Sequence, residues 1–345
     1  MVTPETSTEP TLNVGNKLKT DDMKAVVLHH TGAPDVLKVS EVPIPMVKPG
    51  WVLIKVKAFG LNRSELMMRE YEGDASYIQL PRILGIECVG EVADGSDSHF
   101  KKGQKVIALM GGMGRSFDGS YAEYALVPTK NVFSVDSDMS WTELAAIPET
   151  YFTAWGSLFQ SLQLVPADVL LVRGGTSAAG LAAIQLAKSI GAKVLASTRK
   201  ESKRELLFKH GADCVLIEDG TLDHQLHELY PQGIHKVLEL IGPSTLSESM
   251  SFLKLHGIVC VTGILGKKTT IDNFYPIKDI PSGIYLTGFA SNSPNQQLID
   301  ELFAHIRKYN LHPILARTFS LEEIADAHQM MENNEANGKI VIVNN

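Results

Sequence analysis

Cysteine is scarce in this sequence. There are three among 345 residues, Cys88, Cys214 and Cys260, scattered along the chain and each in an apolar, strand-like context. That spacing builds no disulfide framework, so the three read as small buried hydrophobes in a reducing compartment, and a cytoplasmic location is expected. Long apolar runs are missing as well: none approaches the roughly 20 residues that span a bilayer, and no membrane partner is expected. The opening stretch, rich in Thr, Pro, Glu and Asn, has neither the apolar core of a secretory signal nor the Arg-rich pattern of a transit peptide. Residues 1–22 are therefore expected to be a disordered leader. Positive charge is not in excess: 32 Lys and Arg against 39 Asp and Glu give a net charge of −7, which argues against nucleic acid as a partner. His224-x-x-His227 has a ligand-like spacing but reads as the polar face of a helix.

What is present is globular. The chain is 44% hydrophobic and 21% charged, and its length suggests two domains at roughly 100–200 residues each. Residues 24–28, 36–39, 51–56, 88–92, 104–108 and 121–127 read as short strands punctuated by Pro43, Pro45, Pro49 and Gly50, which implies a barrel-like first domain. From Asp168 strands and helices alternate. Strands are expected at 169–172, 193–197, 214–217, 236–241, 258–262 and 284–289, with helices at 202–210 and 244–255 between them. This is the pattern of a doubly wound parallel sheet. A helix at 295–308, a strand at 314–319, a helix at 321–333 and a strand at 339–343 close the chain. The fold class is thus α/β, with a Rossmann sheet over residues 151–290 inserted in a β-rich domain formed by 23–150 and 291–345.

The inserted sheet opens on an apolar strand that runs into Gly174-Gly175-Thr176-Ser177-Ala178-Ala179-Gly180 and then an amphipathic helix. Small residues here let backbone N–H groups approach a pyrophosphate at a helix N-terminus. A strict G-x-G-x-x-G is absent; the pattern is Gly175-x-Ser177-x-x-Gly180, with Ser177 in the middle position, where its hydroxyl is expected to add a phosphate contact. NAD sites place Asp or Glu about 20 residues past the glycine turn. Here the second strand runs through Ser197 and Thr198 into Arg199 and Lys200. A guanidinium forks phosphate oxygens where a carboxylate would repel them, so these four residues favour NADPH. The bland alternative is that both cations solvate a helix start, against the helix dipole. Glu201 is the rival, since a one-residue shift of the strand end would restore NAD. Gly242, Thr262 and Gly263, in the loops after the fourth and fifth strands, belong to the crevice where cofactor binds such sheets.

Two further segments, Ala58-Phe59-Gly60-Leu61-Asn62-Arg63-Ser64-Glu65 and Leu84-Gly85-Ile86-Glu87-Cys88-Val89-Gly90, join the insert and the terminal Gly338-Lys339-Ile340-Val341-Ile342. Together they resemble the medium-chain dehydrogenase/reductase superfamily, in its zinc-free quinone oxidoreductase, zeta-crystallin-like branch, across residues 23–343. The resemblance implies a GroES-like catalytic domain around the Rossmann insert. Zinc enzymes of that superfamily carry a Cys where Asn62 stands, a His where Ile86 stands, and a third ligand within residues 147–151, where no Cys occurs. No metal is therefore expected. Without one, the expected chemistry is hydride transfer from NADPH to a quinone or other activated carbonyl or alkene. The alternatives are a 2-alkenal or enoyl-thioester reductase and a non-catalytic NADPH-binding, crystallin-like protein. The resemblance places Thr153 near the nicotinamide. It gives Lys339 either a reach to the cofactor or a solvated strand end. Asn62 either bonds nicotinamide, ribose or acceptor, or closes a turn. Tyr71 is either a proton donor or loop packing. A homodimer is also implied, with the 284–289 strand pairing across a twofold.

Overall fold

Short strands of alternating burial fill the first part of a computed structural model, which describes residues 21–344. They are β1 (Asp22–Leu28), β2 (Val39–Pro43), β3 (Trp51–Gly60), β4 (Arg82–Ile83), β5 (Glu87–Asp94), β6 (Lys105–Leu109), β7 (Tyr124–Pro128) and β8 (Val132–Ser134). The expected leader lies outside the described residues up to residue 20, and its last member, Asp22, already opens β1. Three helices belong to this half: α1 (Arg63–Glu70), α2 (Trp141–Ala145) and α3 (Pro148–Trp155). The expected domain division at residue 151 falls inside α3.

The parallel strands are β9 (Val169–Arg173), β10 (Lys193–Thr198), β11 (Cys214–Ile217), β12 (Ile234–Glu239), β13 (Leu253–Val261) and β14 (Tyr285–Gly288), with α4 (Ala178–Ser189) crossing from β9 to β10. Their spatial order is β11-β10-β9-β12-β13-β14, all parallel, so the winding reverses between β9 and β12. That switch point is where doubly wound sheets open their ligand crevice. Leu170, Leu171 and Val172 are wholly buried, as a strand covered on both faces requires. In α4, Leu181, Ile184 and Leu186 are buried, and Gly191 follows in the left-handed conformation that ends a helix.

The chain then returns to the first domain. β15 (Leu315–Ser320) and β16 (Lys339–Val343) extend the antiparallel sheet in the order β15-β16-β3-β5-β6-β8, with β7 also on β3. β16 pairs Val341 with Gly60, which brings Lys339 to the end of β3 and beside the insert. The fold is a Rossmann sheet inserted in a GroES-like β-rich domain. Among the described residues no helix is long and apolar enough to cross a membrane.

Three expectations are corrected. Residues 34–36 form a 3-10 turn begun by Pro34, and the strand placed at 36–39 starts only at Val39. The helix placed at 244–255 covers only Leu246–Ser251, because Leu253 pairs with Ile234 in the sheet. β13 then kinks at His256, whose φ is +67°. Asn62 and Tyr71, read as turn and loop positions in their structural alternatives, are the two caps of α1, and Glu65 accepts the Asn62 N–H at 3.0 Å, an N-terminal capping contact.

Candidate active site

The turn from β9 to α4 is shaped by two glycines. Gly174 takes φ +84°, which side chains disfavour. At Gly180 a Cβ would lie 2.6 Å from the Gly174 carbonyl oxygen and 2.8 Å from Gly175 Cα, so α4 seats on the turn only without a side chain there. Ser177 caps α4: its Oγ accepts the Gly180 N–H at 3.0 Å and donates to the Gly174 carbonyl at 2.9 Å. This corrects the expectation of a Ser177 hydroxyl committed to phosphate, since the hydroxyl holds the turn. What the turn offers is backbone. The N–H groups of Ala178 and Ala179 have no intrahelical acceptor and sit at the positive end of the helix dipole. Thr176, Ser177, Ala178 and Ala179 all line a cleft of about 880 Å³ whose walls come from both domains.

Further along this wall, Ser197 is fully buried; its hydroxyl donates to Glu218 Oε1 at 2.6 Å and accepts the Gly174 N–H at 3.3 Å. It organises the turn. The Thr198 hydroxyl accepts the Lys200 N–H at 3.2 Å. Arg199 and Lys200 are exposed on the cleft wall, and Arg63 and Lys203 line it beside them. Burial, reinforced by the Arg199 charge, lowers the pKa of Arg63. Glu201, the rival for a ribose, pairs with Arg204 at 2.5 Å and is not part of the lining. The acid that does stand here, Glu218 just past β11, is not evident from the sequence. Arg173 holds both its oxygens, at 3.0 and 2.8 Å. The wall therefore presents cations whose local carboxylates are already neutralised.

At the other end, five side chains from the start of α1, from β5, from α3 and from β16 meet in a buried polar centre. Lys339 Nζ donates to Asn62 Oδ1 at 2.6 Å and to Glu87 Oε1 at 2.7 Å, and Asn62 Nδ2 donates to the same Glu87 oxygen at 2.8 Å. The other Glu87 oxygen accepts the backbone N–H of Glu149 at 2.7 Å. Lys339 is 2% and Glu87 0% exposed. Gly60 makes room for them: a Cβ there would lie 2.2 Å from Lys339 Cε and 2.6 Å from Glu87 Oε1. Glu65, at the start of α1, accepts the Ile86 N–H at 3.3 Å, and burial pushes its pKa up to about 7, with Lys339 pulling it back. Glu149, in the first turn of α3, receives hydroxyl hydrogen bonds on Oε1 from Thr153 at 2.9 Å and Ser291 at 2.6 Å. Burial pushes its pKa up to about 8, the Ser291 hydrogen bond opposing and the Glu87 charge assisting.

Asn62, Glu149, Thr153, Gly174, Thr262, Gly263 and Lys339 line the cleft together with Thr176 to Ala179 and Ser197 to Lys200, whereas Gly175, Gly180 and Gly242, like Glu65 and Glu87, are not in its lining. Gly242 shapes the loop after β12 at φ +102°, its N–H donating to Glu239 at 2.9 Å. The Thr262 hydroxyl is shared with Ser157 at 2.8 Å. Tyr71, read as either a proton donor or loop packing, caps the far end of α1, is 53% exposed and lies outside the lining. The loop after β6 does line it, through Met110, Gly111, Gly112, Met113 and Arg115. Sequence reasoning missed Glu65, Glu87, Glu149 and Ser291 as site residues. The signal was a lone carboxylate opening each of two apolar segments, Glu87-Cys88-Val89 and Glu149-Thr150-Tyr151-Phe152.

The comparisons agree with this geometry. The alcohol dehydrogenase GroES-like domain matches residues 48–137, and the zinc-binding dehydrogenase family matches residues 178–306. The chain is 30% identical to a quinone oxidoreductase from Homo sapiens over 328 residues, 93% of this chain and 98% of that one. Among solved structures, the quinone oxidoreductase from Coxiella burnetii superposes with a TM-score of 0.81 at 25% identity, covering 94% of this chain and 100% of that one. A mycobacterial protein solved with NADPH has the same fold, with a TM-score of 0.81 at 24% identity over 93% of this chain and all of that one. The chain is therefore an NAD(P)-dependent oxidoreductase of the medium-chain dehydrogenase/reductase superfamily, in its zinc-free, quinone oxidoreductase-like branch.

Proposed function

We propose that this protein is an NADPH-dependent reductase of quinones or comparable activated carbonyls and alkenes, working without zinc. The observation that carries the cofactor choice is the pair Arg199 and Lys200, exposed on the cleft wall while Glu201 is engaged by Arg204. A 2′-phosphate suits that wall; a bare ribose hydroxyl does not use it. The cofactor would lie from these cations, over the Ala178 and Ala179 N–H groups, to Thr153, and when bound it supplies a hydride. Zinc has no donor set at the expected place: Ile86 offers an alkyl group, and the Asn62 amide is taken up by Lys339 and Glu87. An ammonium occupies the centre instead. The acceptor end is largely apolar, with Leu61, Ile86, Met110, Met113 and Phe289 in its lining, and Tyr71 is elsewhere; both favour a quinone or enone over a carrier-bound thioester. A cytoplasmic homodimer completes the reading, the three free thiols fitting a reducing compartment.

The test is cofactor oxidation with a quinone, an enal and a crotonyl thioester in parallel, with both NADPH and NADH. Turnover of the quinone or enal with NADPH preferred is expected; tight NADPH binding with no turnover of any acceptor would refute the enzyme reading. Arg199→Glu is expected to weaken NADPH by roughly 10–150-fold, the value of a charge-assisted hydrogen bond, with little change for NADH. Equal loss for both overturns the phosphate assignment. Metal analysis should find no stoichiometric zinc.

A further inference from the structure

The carboxyl group of Glu149 is bonded on one side only. Oε1 accepts two hydroxyl hydrogen bonds, from Thr153 on its own helix and from Ser291 beyond β14. Oε2 is shielded from water and has no hydrogen-bond partner. With Oε1 already filled by donors, a proton on this group belongs on Oε2, where it is a donor with no acceptor in the protein. Glu149 lines the cleft, in the same lining as Asn62, Thr153 and Ile86. A shielded donor without an acceptor is costly in the free protein and is satisfied when a ligand brings one. The charged groups facing it are Glu87 on β5 and Lys339 on β16, which bond to each other at 2.7 Å; Glu65 of α1 completes the set around Lys339. The single cation is thus spent on Glu87, and Glu149 is left without a counter-charge of its own.

We propose that Glu149 is the proton donor of the reaction, its Oε2–H hydrogen-bonding the carbonyl oxygen of the acceptor. This rests on the reading of the chain as an NADPH-dependent reductase of activated carbonyls. The acceptor takes a hydride from NADPH, which is oxidised to NADP⁺. A bond forms at the acceptor's electrophilic atom, and its displaced π pair moves to the carbonyl oxygen. As that oxygen becomes basic the Oε2–H bond breaks, the proton passes to the oxygen, and Glu149 is left as a carboxylate to be reprotonated from solvent after product leaves. Thr153 and Ser291 are positioning residues: they fix Oε1 and so aim Oε2. Their hydrogen bonds also favour the carboxylate that the proton transfer creates.

A carboxyl pushed up to about 8 is protonated at neutral pH. The active form being the acid, turnover is expected to be highest below that pH and to fall as pH rises through it. Glu149→Gln keeps a donor in place but transfers no proton. It is expected to lower kcat by about 10²-fold or more while leaving the NADPH Kd, read by fluorescence titration, nearly unchanged. Ser291→Ala removes a contact that lowers the Glu149 pKa, so the alkaline limb of the kcat profile should move to higher pH.

Infrared spectroscopy of the cofactor-free protein supplies a readout independent of turnover. A protonated carboxyl band that disappears as pH is raised should be present in wild type and missing from Glu149→Gln, so that it stands in the wild-type minus variant difference spectrum while the Glu65 band cancels. Wild-type turnover combined with an ionised Glu149 at neutral pH overturns the proposal alone. So does a Glu149→Gln variant that loses NADPH affinity but keeps kcat. Absence of wild-type turnover with every acceptor overturns the functional reading and the proposal together.

Discussion

Lys339 shows how much of the site depends on single residues. It is one ammonium, 2% exposed, beside Glu87, with the Glu65 and Glu149 carboxyls within its influence. Removing one partner of a buried ion pair leaves the other charge desolvated and unpaired, at a cost of about 3–5 kcal/mol. Lys339→Met is expected to lower unfolding stability by that amount in chemical denaturation. It should also raise the Glu65 and Glu149 pKa values further, since Lys339 lowers both. A loss below about 1 kcal/mol, the range of an exposed pair, would mean that the pair is not buried in solution. The same residue marks the limit of sequence reading. Lys339 and Glu87 are separated by 252 positions and meet only because β16 pairs with β3. Nothing local announces that pairing. By contrast the place of Arg199 and Lys200 on the cleft wall follows from their position at the end of the second strand, a local signal with a local reason.

Elements followed the same division between local and long-range causes. The strands of the parallel sheet were evident because apolar runs such as Val169-Leu170-Leu171-Val172 have one stable use, burial on both faces. The helix read over 244–255 failed at Leu253, where pairing with Ile234 overrides a helical pattern. The β9–α4 turn lies between these cases. Its small residues were plain in the sequence, but the duty of each became visible only in space: Gly174 for its φ, Gly180 for close approach, Ser177 as a cap. Gly180 gives a test of sign. In an ordinary helix Gly→Ala stabilises by roughly 0.5–1 kcal/mol. Here the added Cβ meets backbone at 2.6 and 2.8 Å, which cannot move cheaply, so Gly180→Ala is expected to destabilise by about 1–3 kcal/mol, as overpacking does, and to weaken NAD(P)H binding by lifting α4 off the turn. A more stable variant with unchanged affinity would show that the helix N-terminus is not held against the turn as described.

At the scale of the whole molecule, the parallel sheet ends at β14, which among the described residues pairs only with β13 and leaves its outer side open. Open edges invite pairing, and this one carries none of the usual guards: β14 reads Tyr285-Leu286-Thr287-Gly288, without a charge or a proline. Tyr285 is 54% exposed, and Leu255, which lies against Gly283 at the start of the same edge, is 66% exposed. Two copies related by a twofold would present this edge to itself, joining two six-stranded sheets and covering both side chains. Neither side chain supports the core of its own chain, so replacing both with lysine separates association from folding. Tyr285→Lys combined with Leu255→Lys is expected to convert a dimer, measured by sedimentation equilibrium, into a folded monomer with unchanged circular dichroism. Because one chain supplies the cleft's lining from both of its domains, that monomer should still bind NAD(P)H. A wild type that sediments as a monomer, or a double variant that remains dimeric, would move the interface away from β14.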